Sequence, residues 1–249
     1  MTYQLPPDHV LVLRTSNKDR ISYGGFQWPE SGPVEAPDWS PEPICGRGLQ
    51  GALWGEGNGS LFNWKDDSVW QVVEVLEKDI VDLVGKVKFP RGNVVFSGDQ
   101  QGATNFLLAN GGFGRAVIGA KMSNLNPNGH VLVGDYGTAN VGDWGTANAG
   151  EGGTANAGIE GKATAGRHGT AIAGKKGTAN AGEGGTANAG EGGTATAGEG
   201  GTVTAGYRGK LAIDYWDGRS RTKVGYIGED GLEPNTPYKL GYKYNFVKA

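Results

Sequence analysis

The chain has few of the residues that support covalent or metal chemistry. Its 249 residues include one cysteine, Cys45, so no internal disulfide can form and a disulfide-stapled secreted fold is excluded. The histidines are scattered at His9, His130 and His168, and none lies in a sequence pattern that indicates a catalytic or zinc site. We therefore predict a non-enzymatic protein with no cofactor and no bound metal.

Long apolar runs and a strong net charge are also lacking. No stretch approaches the roughly 18 apolar residues of a membrane helix, and the N-terminal residues lack the basic and apolar regions of a signal peptide. The formal net charge of −3 gives no electrostatic reason for direct nucleic-acid binding. These absences predict a cytoplasmic protein without a membrane partner.

Glycine, by contrast, is abundant: it accounts for 47 residues, and most of its excess over ordinary usage lies in an eight-residue repeat. The repeat reads x-x-Gly-Thr-Ala-Asn/Thr-Ala-Gly and runs without a gap from about Asp135 to Gly206. Side chains alternate within it as in a β-strand, and its glycines permit tight corners. Because two repeats make one coil of about 16 residues, the pattern predicts a flattened β-solenoid of about four to five coils.

Substitutions within the repeat indicate which side chains face the interior. The first alanine position becomes Val203 in the last repeat, and the second becomes Val141 in the first. The threonine position instead becomes Lys162 and Lys210. Since lysine tolerates water better than valine, these changes favour an interior of alanine methyl groups. Ile172 at an asparagine position is the exception, and the alternative is an interior of threonine and asparagine ladders.

The two ends of the chain differ from the repeat in composition. The first hundred residues hold five of the seven tryptophans and several alternating apolar stretches, which predict a small α+β or mostly β domain. Segments 114–119 and 129–134 resemble the repeat with large apolar residues in place of alanine, and are expected to form wider first coils. The predicted parts are an aromatic-rich N-terminal domain (1–100), a transition and N-terminal cap (101–134), the solenoid (135–209) and a C-terminal β cap (210–249).

Three stretches resemble a group of uncharacterised phage and prophage proteins. They are segment 44–55 (Ile-Cys-Gly-Arg-Gly-Leu-Gln-Gly-Ala-Leu-Trp-Gly), the Gly-Thr-Ala-Thr-Ala-Gly type of repeat, and the tail with Trp216-Asp-Gly and Gly228-Glu-Asp-Gly-Leu-Glu-Pro-Asn-Thr-Pro-Tyr238. Relatives often carry histidine where this chain has Gln50, so no catalytic role is carried over from it. The resemblance implies an N-terminal domain of unknown role, a rod of repeats and a small cap, and it supplies no reaction. We interpret this arrangement as a protein-binding scaffold in the cytoplasm of a bacterial host. In its most concrete form it implies a phage or prophage inhibitor of a bacterial defence complex, such as a CRISPR effector.

The repeat is also similar to the repeats of bacterial ice-nucleation proteins, which share glycine, Thr-x-Thr and alanine in a similar order. Those arrays are far longer and belong to cell-surface proteins. This resemblance implies an alternative function, ice binding, in which a flat hydroxyl array orders water; an ordinary solvated strand face is the competing interpretation. The array would be one file of threonines, namely Thr138, Thr154, Thr170, Thr186 and Thr202.

Charged residues occupy the corners between the predicted strands. Stacked carboxylates repel one another, so a basic protein surface would be favourable beside them. Calcium is not predicted, because the glutamates precede the glycines and no second ligand is evident. The predicted partner-facing edge consists of Asp135, Glu151, Arg167, Glu183 and Glu199.

Three classes of function follow from these observations. The first is recognition of a host protein or protein complex, with the solenoid as a rigid scaffold whose sheets can pair into a homodimer. The second is ice binding, and the third is an enzyme with an unrecognised site in the N-terminal domain. Cys45 is expected to be a small buried residue, and a reactive thiol with a lowered pKa is the alternative.

Overall fold

The computed structural model of the protein describes residues 3–22 and 24–249. The chain forms two compact units, the first ending at Ala120 and the second beginning at Lys121. The first unit therefore continues past residue 100, where the composition changes; the predicted four-part division stays a prediction. Among the described residues, no helix has the length and apolar character needed to span a membrane.

The described residues of the first unit form seven strands: β1 (His9–Ser16), β2 (Gly32–Glu35), β3 (Leu49–Leu53), β4 (Val69–Leu76), β5 (Val81–Asp82), β6 (Val87–Phe89) and β7 (Arg91–Gly98). They form one antiparallel sheet in the order β2-β7-β4-β1-β3-β6-β5. The central strands β1 and β4 are buried along most of their length, on both faces of the sheet, with consecutive apolar residues at 10–13 and 72–73. This pattern is expected when both faces of a sheet are covered.

Each face of this sheet contributes to a core. On one face, valines of β1, β4 and β7 pack with Phe89 and Trp28. On the other face, Leu13 and Leu107 lie together beside Gly55. Leu107 is the last residue of α1 (Gln100–Leu107), an α-helix that follows β7. The result is the small, mostly β N-terminal domain that the alternating apolar stretches predict.

Short helical segments connect these strands. The segment after β4 forms a 3-10 turn at Glu77–Asp79 followed by β5. Helix α1 begins after Asp99, whose carboxylate accepts a 2.7 Å hydrogen bond from the Gly102 N–H and so satisfies one unpaired donor of the first turn. A π-helical turn at Leu108–Gly112 follows α1. A further 3-10 turn covers Gly59–Leu61.

In the second unit, strands alternate between two sheets. The first solenoid sheet contains β8 (Lys121–Asn124), β10 (Thr138–Val141), β12 (Thr154–Ala157), β14 (Thr170–Ala173), β16 (Thr186–Ala189), β18 (Thr202–Ala205), β21 (Tyr238–Leu240) and β22 (Phe246–Lys248). The second solenoid sheet contains β9 (His130–Leu132), β11 (Thr146–Ala149), β13 (Lys162–Ala165), β15 (Thr178–Ala181), β17 (Thr194–Ala197), β19 (Lys210–Trp216) and β20 (Ser220–Tyr226).

This arrangement confirms the predicted β-solenoid with about 16 residues per turn. From β8 to β18 and from β9 to β19, successive strands of each sheet are parallel, and repeat positions pair with like positions. Thr138, for example, lies opposite Thr154. There are about six coils rather than four to five, because strands outside the complete repeat extend both ends.

Alanine methyl groups fill the interior, as predicted. Ala139, Ala155 and Ala171 are fully buried, and the threonine and asparagine side chains point outward and are half-buried. Ile172 also points outward, with 41% of its surface exposed. The alternative interior of threonine and asparagine ladders is therefore excluded.

Close stacking of the coils explains the glycines that bracket each corner. A Cβ added at Gly150 would lie 2.6 Å from the Asp135 backbone nitrogen of the preceding coil. A Cβ added at Gly153 would lie 2.8 Å from the Ala149 Cβ. Gly152, between them, has a φ of 62°, a left-handed conformation that glycine adopts without strain. Steric contact thus requires glycine at the two flanking positions, whereas the left-handed conformation between them is also adopted by Trp144 and Lys176 at the equivalent position of other corners.

Only one of the two segments expected to form wider first coils contributes a strand to the solenoid. Segment 129–134 supplies β9, but segment 114–119 forms no strand and belongs to the first unit. There Val117 and Ile118 are fully buried, and the Ile118 N–H donates a 2.9 Å hydrogen bond to the Gly55 carbonyl oxygen. The expectation for 114–119 is wrong because its large apolar side chains complete the core of the first unit.

The C-terminal residues form the predicted β element. Strands β19 and β20 pair as an antiparallel hairpin, while β21 pairs antiparallel with β18 through Val203 and Tyr238, and β22 follows β21. The parallel stacking therefore ends in antiparallel strands in both sheets. Arg221 and Lys223 on β20 are exposed, and such charges discourage pairing of an edge strand with another chain.

Candidate functional site

The first solenoid sheet displays an unbroken file of threonines. Its members lie opposite one another in successive parallel strands, so their spacing follows the strand separation of about 4.8 Å. Lys121 lies opposite the first of them. The structure thus brings together the whole predicted array, which we call the threonine file: Thr138, Thr154, Thr170, Thr186 and Thr202.

A second file runs beside the threonine file, two residues further along each strand. Its amides bond along the coils: Asn140 Nδ2 donates to Ser123 Oγ at 3.2 Å, and Asn156 Nδ2 donates to Asn140 Oδ1 at 2.7 Å. The exposed Ile172 then interrupts this ladder. The full second file is Ser123, Asn140, Asn156, Ile172, Asn188 and Thr204.

The corresponding file of the second solenoid sheet is interrupted by charge. Lys162 lies between Thr146 and Thr178, and Lys210 follows Thr194. An ammonium group on a long side chain holds its own water shell and projects above the neighbouring threonines. The two sheets of the solenoid therefore have the same backbone arrangement but different surfaces. The first sheet carries no charge within the threonine file, whereas the corresponding file of the second sheet contains Lys162 and Lys210.

Threonine in this setting presents a regular set of polar groups. Each hydroxyl is one donor and two acceptors, and the branched Cβ restricts the side chain to few rotamers. The parallel ladder fixes the distance between coils, and the strand fixes a separation of about 6.6 Å between the two files. Such a surface can hold water molecules at constant intervals in two directions.

The predicted partner-facing edge is a line of corners. Asp135 Oδ1 accepts a 2.9 Å hydrogen bond from the Glu151 N–H of the next coil, so this carboxylate caps a backbone donor. Further along, Arg167 Nε lies 3.4 Å from Glu183 Oε2, and Glu199 follows in the next coil. Part of the charge is thus compensated within the solenoid itself. The role of this edge as a partner surface stays a prediction, as does pairing of the sheets into a homodimer.

The opposite line of corners is also internally paired. Asp143 Oδ1 accepts a 2.8 Å hydrogen bond from the Ile159 N–H, and Lys175 Nζ lies 3.2 Å from Glu191 Oε2. In the part of the chain that the structure describes, no three His, Cys, Asp or Glu side chains converge as a metal site. The corners therefore offer exposed single ion pairs, which contribute about 0–1 kcal/mol each to stability.

The first unit contains a cavity of about 460 Å³ at one end of its sheet. Its lining includes His9 and Glu74, with 3.9 Å between His9 Nε2 and Glu74 Oε1. The Tyr3 hydroxyl donates a 2.7 Å hydrogen bond to Glu74 Oε2. The pKa of Tyr3 is raised, mainly by burial and to a smaller extent by its hydrogen bond to this carboxylate. Tyr3, His9 and Glu74 therefore interact mainly with one another.

A larger groove lies elsewhere in the unit, and its lining includes Cys45.

Cys45 is exposed, so the expectation of a buried apolar role is wrong. Its Sγ accepts a hydrogen bond from Lys86 Nζ at 3.0 Å, and this bond lowers the pKa of the Cys45 thiol. Gly46 and Gly48 on either side of Arg47 have positive φ values, and residues 41–47 of this loop are exposed. The sequence signal for exposure was the glycine-rich loop itself, since loops with such backbone freedom lie at the surface.

Comparison with known proteins gives one consistent result. The repeats of this chain resemble those of ice nucleation proteins. The chain is 36% identical over 105 residues to an ice nucleation protein of Xanthomonas campestris pv. translucens, 40% identical over 104 residues to one of Pseudomonas syringae, and 37% identical over 103 residues to ice nucleation protein InaU of Pantoea ananas. Each match covers 41% of this chain but only 7%, 9% and 10% of the respective relative. No family model and no solved structure matches the chain.

These matches overturn the expectation of a phage anti-defence protein. The relatives found are ice nucleation proteins, and no family model matches segment 44–55 or the tail on which that prediction rested. The expectation was wrong because it gave more weight to short motifs outside the repeat than to the repeat. The β-solenoid and the similarity to ice nucleation proteins favour a non-enzymatic role.

Proposed function

We propose that this protein binds ice through the threonine file of the first solenoid sheet. The observation that carries the proposal is the unbroken register of five threonines on a parallel sheet, with no charged side chain between them. Similarity of the repeats to ice nucleation proteins supports it independently.

The geometry explains how such a surface would hold ice. Hydroxyl groups at a constant spacing can replace water molecules at a crystal surface without large rearrangement, because the backbone ladder has already fixed their positions. The methyl group of each threonine lies beside its hydroxyl and limits the water that must be displaced. The binding face is therefore ordered before it meets ice, which reduces the entropy cost of binding.

The small size of the array favours binding over nucleation. Four spacings of about 4.8 Å give the threonine file a length of about 19 Å. A crystal embryo must be templated over its whole contact surface, whereas adsorption to existing ice needs contact only at the protein. We therefore expect the isolated protein to adsorb to ice and slow its growth rather than to initiate freezing.

The decisive experiment compares one substitution on the two sheets. Thr170→Lys places a charge in the middle of the threonine file, and Thr178→Lys places the same residue on the second sheet beside Lys162. We expect wild-type protein to produce thermal hysteresis and to partition into growing ice. Thr170→Lys should abolish both effects, and Thr178→Lys should retain them, with circular dichroism showing that both variants fold.

Removal of a charge from the second sheet tests the proposal by an expected gain of ice binding rather than a loss. Lys162→Thr would join Thr146, Thr178 and Thr194 into a continuous file of four. We expect this variant to show greater thermal hysteresis than wild type because it has two competent faces. Absence of thermal hysteresis and of ice partitioning in folded wild-type protein would refute the proposal, as would equal loss in Thr170→Lys and Thr178→Lys.

A further inference from the structure

The larger groove of the first unit has a volume of about 970 Å³ and lies at the end of β1 and the start of β3. Its wall includes Arg14 and Ser16 from β1 and Trp28 from the following loop. Arg14 and Ser16 are two residues apart in one strand, so both point to the same face of the sheet. The Arg14 Cζ lies 3.6 Å from the centroid of the Trp28 ring, so these residues form one contiguous cluster.

This cluster contains three buried polar atoms without a hydrogen-bond partner among the described residues: Arg14 Nε, Ser16 Oγ and Trp28 Nε1. The exposed fractions of the three residues are 5%, 3% and 2%. Each of the three atoms can donate a hydrogen bond. Because a buried donor without an acceptor costs about 1–3 kcal/mol, three together indicate an acceptor that the chain itself does not provide.

Arg14 is also a buried cation without a counterion. Its guanidinium donates to Gln71 Oε1 at 2.6 Å and to the Thr15 carbonyl oxygen at 2.9 Å, and both acceptors are neutral. No ion pair with a described carboxylate involves it. Burial lowers the pKa of Arg14 to about 9, which reflects the cost of holding this charge away from water. An anion bound beside it would offset that cost.

Other side chains make the groove basic. Arg47 and Lys86 line it in addition to Arg14. Asp38 is the acidic residue among its described lining, and the Asp38 carboxylate already accepts a 3.1 Å hydrogen bond from the Gly48 N–H. The electrostatic balance therefore favours an anionic ligand over a cationic one.

We propose that this groove binds a small molecule carrying an oxyanion, either a phosphate or a carboxylate group, through hydrogen bonds donated by Arg14, Ser16 and Trp28. The planar guanidinium suits the two oxygens of such a group. The site is in the first unit and is independent of ice binding through the solenoid. Phe26 and Phe62 also line the groove and offer apolar surface to the remainder of the ligand.

Calorimetric titration with the full chain tests the proposal. Pyrophosphate and citrate serve as the phosphate and carboxylate probes, and sodium chloride at matched ionic strength is the reference. We expect saturable binding of at least one probe. Binding of pyrophosphate alone would assign the site to phosphates, and binding of citrate alone would assign it to carboxylates. No saturable binding of either probe would overturn the proposal.

Variants place the ligand in the groove. Since Ser16 Oγ has no partner in the unliganded protein, Ser16→Ala should leave the melting temperature unchanged or raise it. It should weaken probe binding about tenfold, the equivalent of one hydrogen bond to a charged group. Ser68→Ala, at a buried serine outside the groove, should leave binding unchanged. A Ser16→Ala variant that melts earlier but binds normally would show a structural role and overturn the assignment.

The single cysteine supplies a second measurement of location. Cys45 lines the same groove and is exposed, so its alkylation by iodoacetamide can be followed by mass spectrometry at one site. A ligand in the groove should slow this reaction, with the same concentration dependence as the calorimetric signal. Lys86→Met should raise the thiol pKa and slow alkylation without ligand, whereas Lys78→Met, outside the groove, should not. Unchanged alkylation at saturating probe would place the ligand elsewhere and overturn the proposal.

Discussion

The first unit encloses large side chains such as Phe89 and Leu107, whereas the solenoid encloses the methyl groups of residues such as Ala171 and Ala179. In the first unit, stability depends on the area that each large side chain removes from water. An alanine core buries little area per residue, so the solenoid depends on continuous backbone ladders and on close stacking of its coils. The first unit should therefore be most sensitive to removal of atoms, and the solenoid to their addition.

Removal of a large core side chain from the first unit should have the largest effect. Phe89→Ala leaves a cavity among the valines of the sheet, and we expect it to lower the free energy of unfolding by about 3–5 kcal/mol. Urea denaturation followed by circular dichroism measures this change. Phe113→Ala is the matched control, because Phe113 is 79% exposed and its loss should cost little. Similar costs for the two variants would contradict the comparison.

Insertion of a large side chain into the solenoid should have the next largest effect. Ala171 is fully buried between the two sheets, and Ala171→Leu should lower the free energy of unfolding by about 1–3 kcal/mol through overpacking. Asn180→Leu introduces the same residue at an outward position of β15 and serves as control. Denaturant midpoints compare the two variants. Equal stability would show that the interior has room and that the coils are not closely packed.

The corner glycines allow a finer test, because steric contact and backbone conformation can be separated. A Cβ at Gly185 would lie 2.9 Å from the Ala181 Cβ, whereas a Cβ at Gly200 would have no neighbour within 4 Å but would require a φ of 71°. We expect Gly200→Ala to cost about 1 kcal/mol from strain alone, and Gly185→Ala to cost more, about 2 kcal/mol. Thermal denaturation ranks the two. The reverse order would mean that coil stacking does not require glycine.

The smallest expected effect is a gain on the surface. Ile172 lies between Asn156 and Asn188 in the second file, so Ile172→Asn would restore an amide ladder at a half-exposed position. We expect an increase in the free energy of unfolding of about 0.5–1 kcal/mol. Ile159→Asn, at a corner without neighbouring amides, is the control and should bring no gain. A loss of stability at position 172 would show that the exposed isoleucine packs usefully.

The solenoid was predictable because each of its coils meets nearly the same environment. A fixed period of eight residues repeats one strand and one corner, and substitutions such as Val203 and Lys162 mark the inner and outer positions. The ends were less predictable. Strand β8 has the sequence Lys-Met-Ser-Asn and no repeat motif, yet it pairs in register with β10. The position of β8 depends on backbone hydrogen bonds to β10 in the next coil, and such bonds produce no recognisable pattern of side chains in the sequence.

The first unit shows the opposite situation. Three of its strands, β1, β4 and β7, could be located from apolar stretches, but the burial of Val117 and Ile118 depends on contacts with Gly55 in the turn after β3, far away in the sequence. The groove could not be predicted at all. Arg14 and Ser16 occupy ordinary strand positions, and Trp28 belongs to a proline-rich region. Only the sheet brings their unpaired donors together.

The sequence by itself determined the coil of two eight-residue repeats, its alanine interior and the threonine file. It could do so because a periodic chain repeats the same local contacts, and each substitution in a repeat gives further information on the same structural position. The tertiary structure decided where the solenoid begins, which apolar segment belongs to the first unit, and which buried donors share one groove. Those features depend on contacts between residues far apart in the chain, and no local pattern of side chains records such contacts.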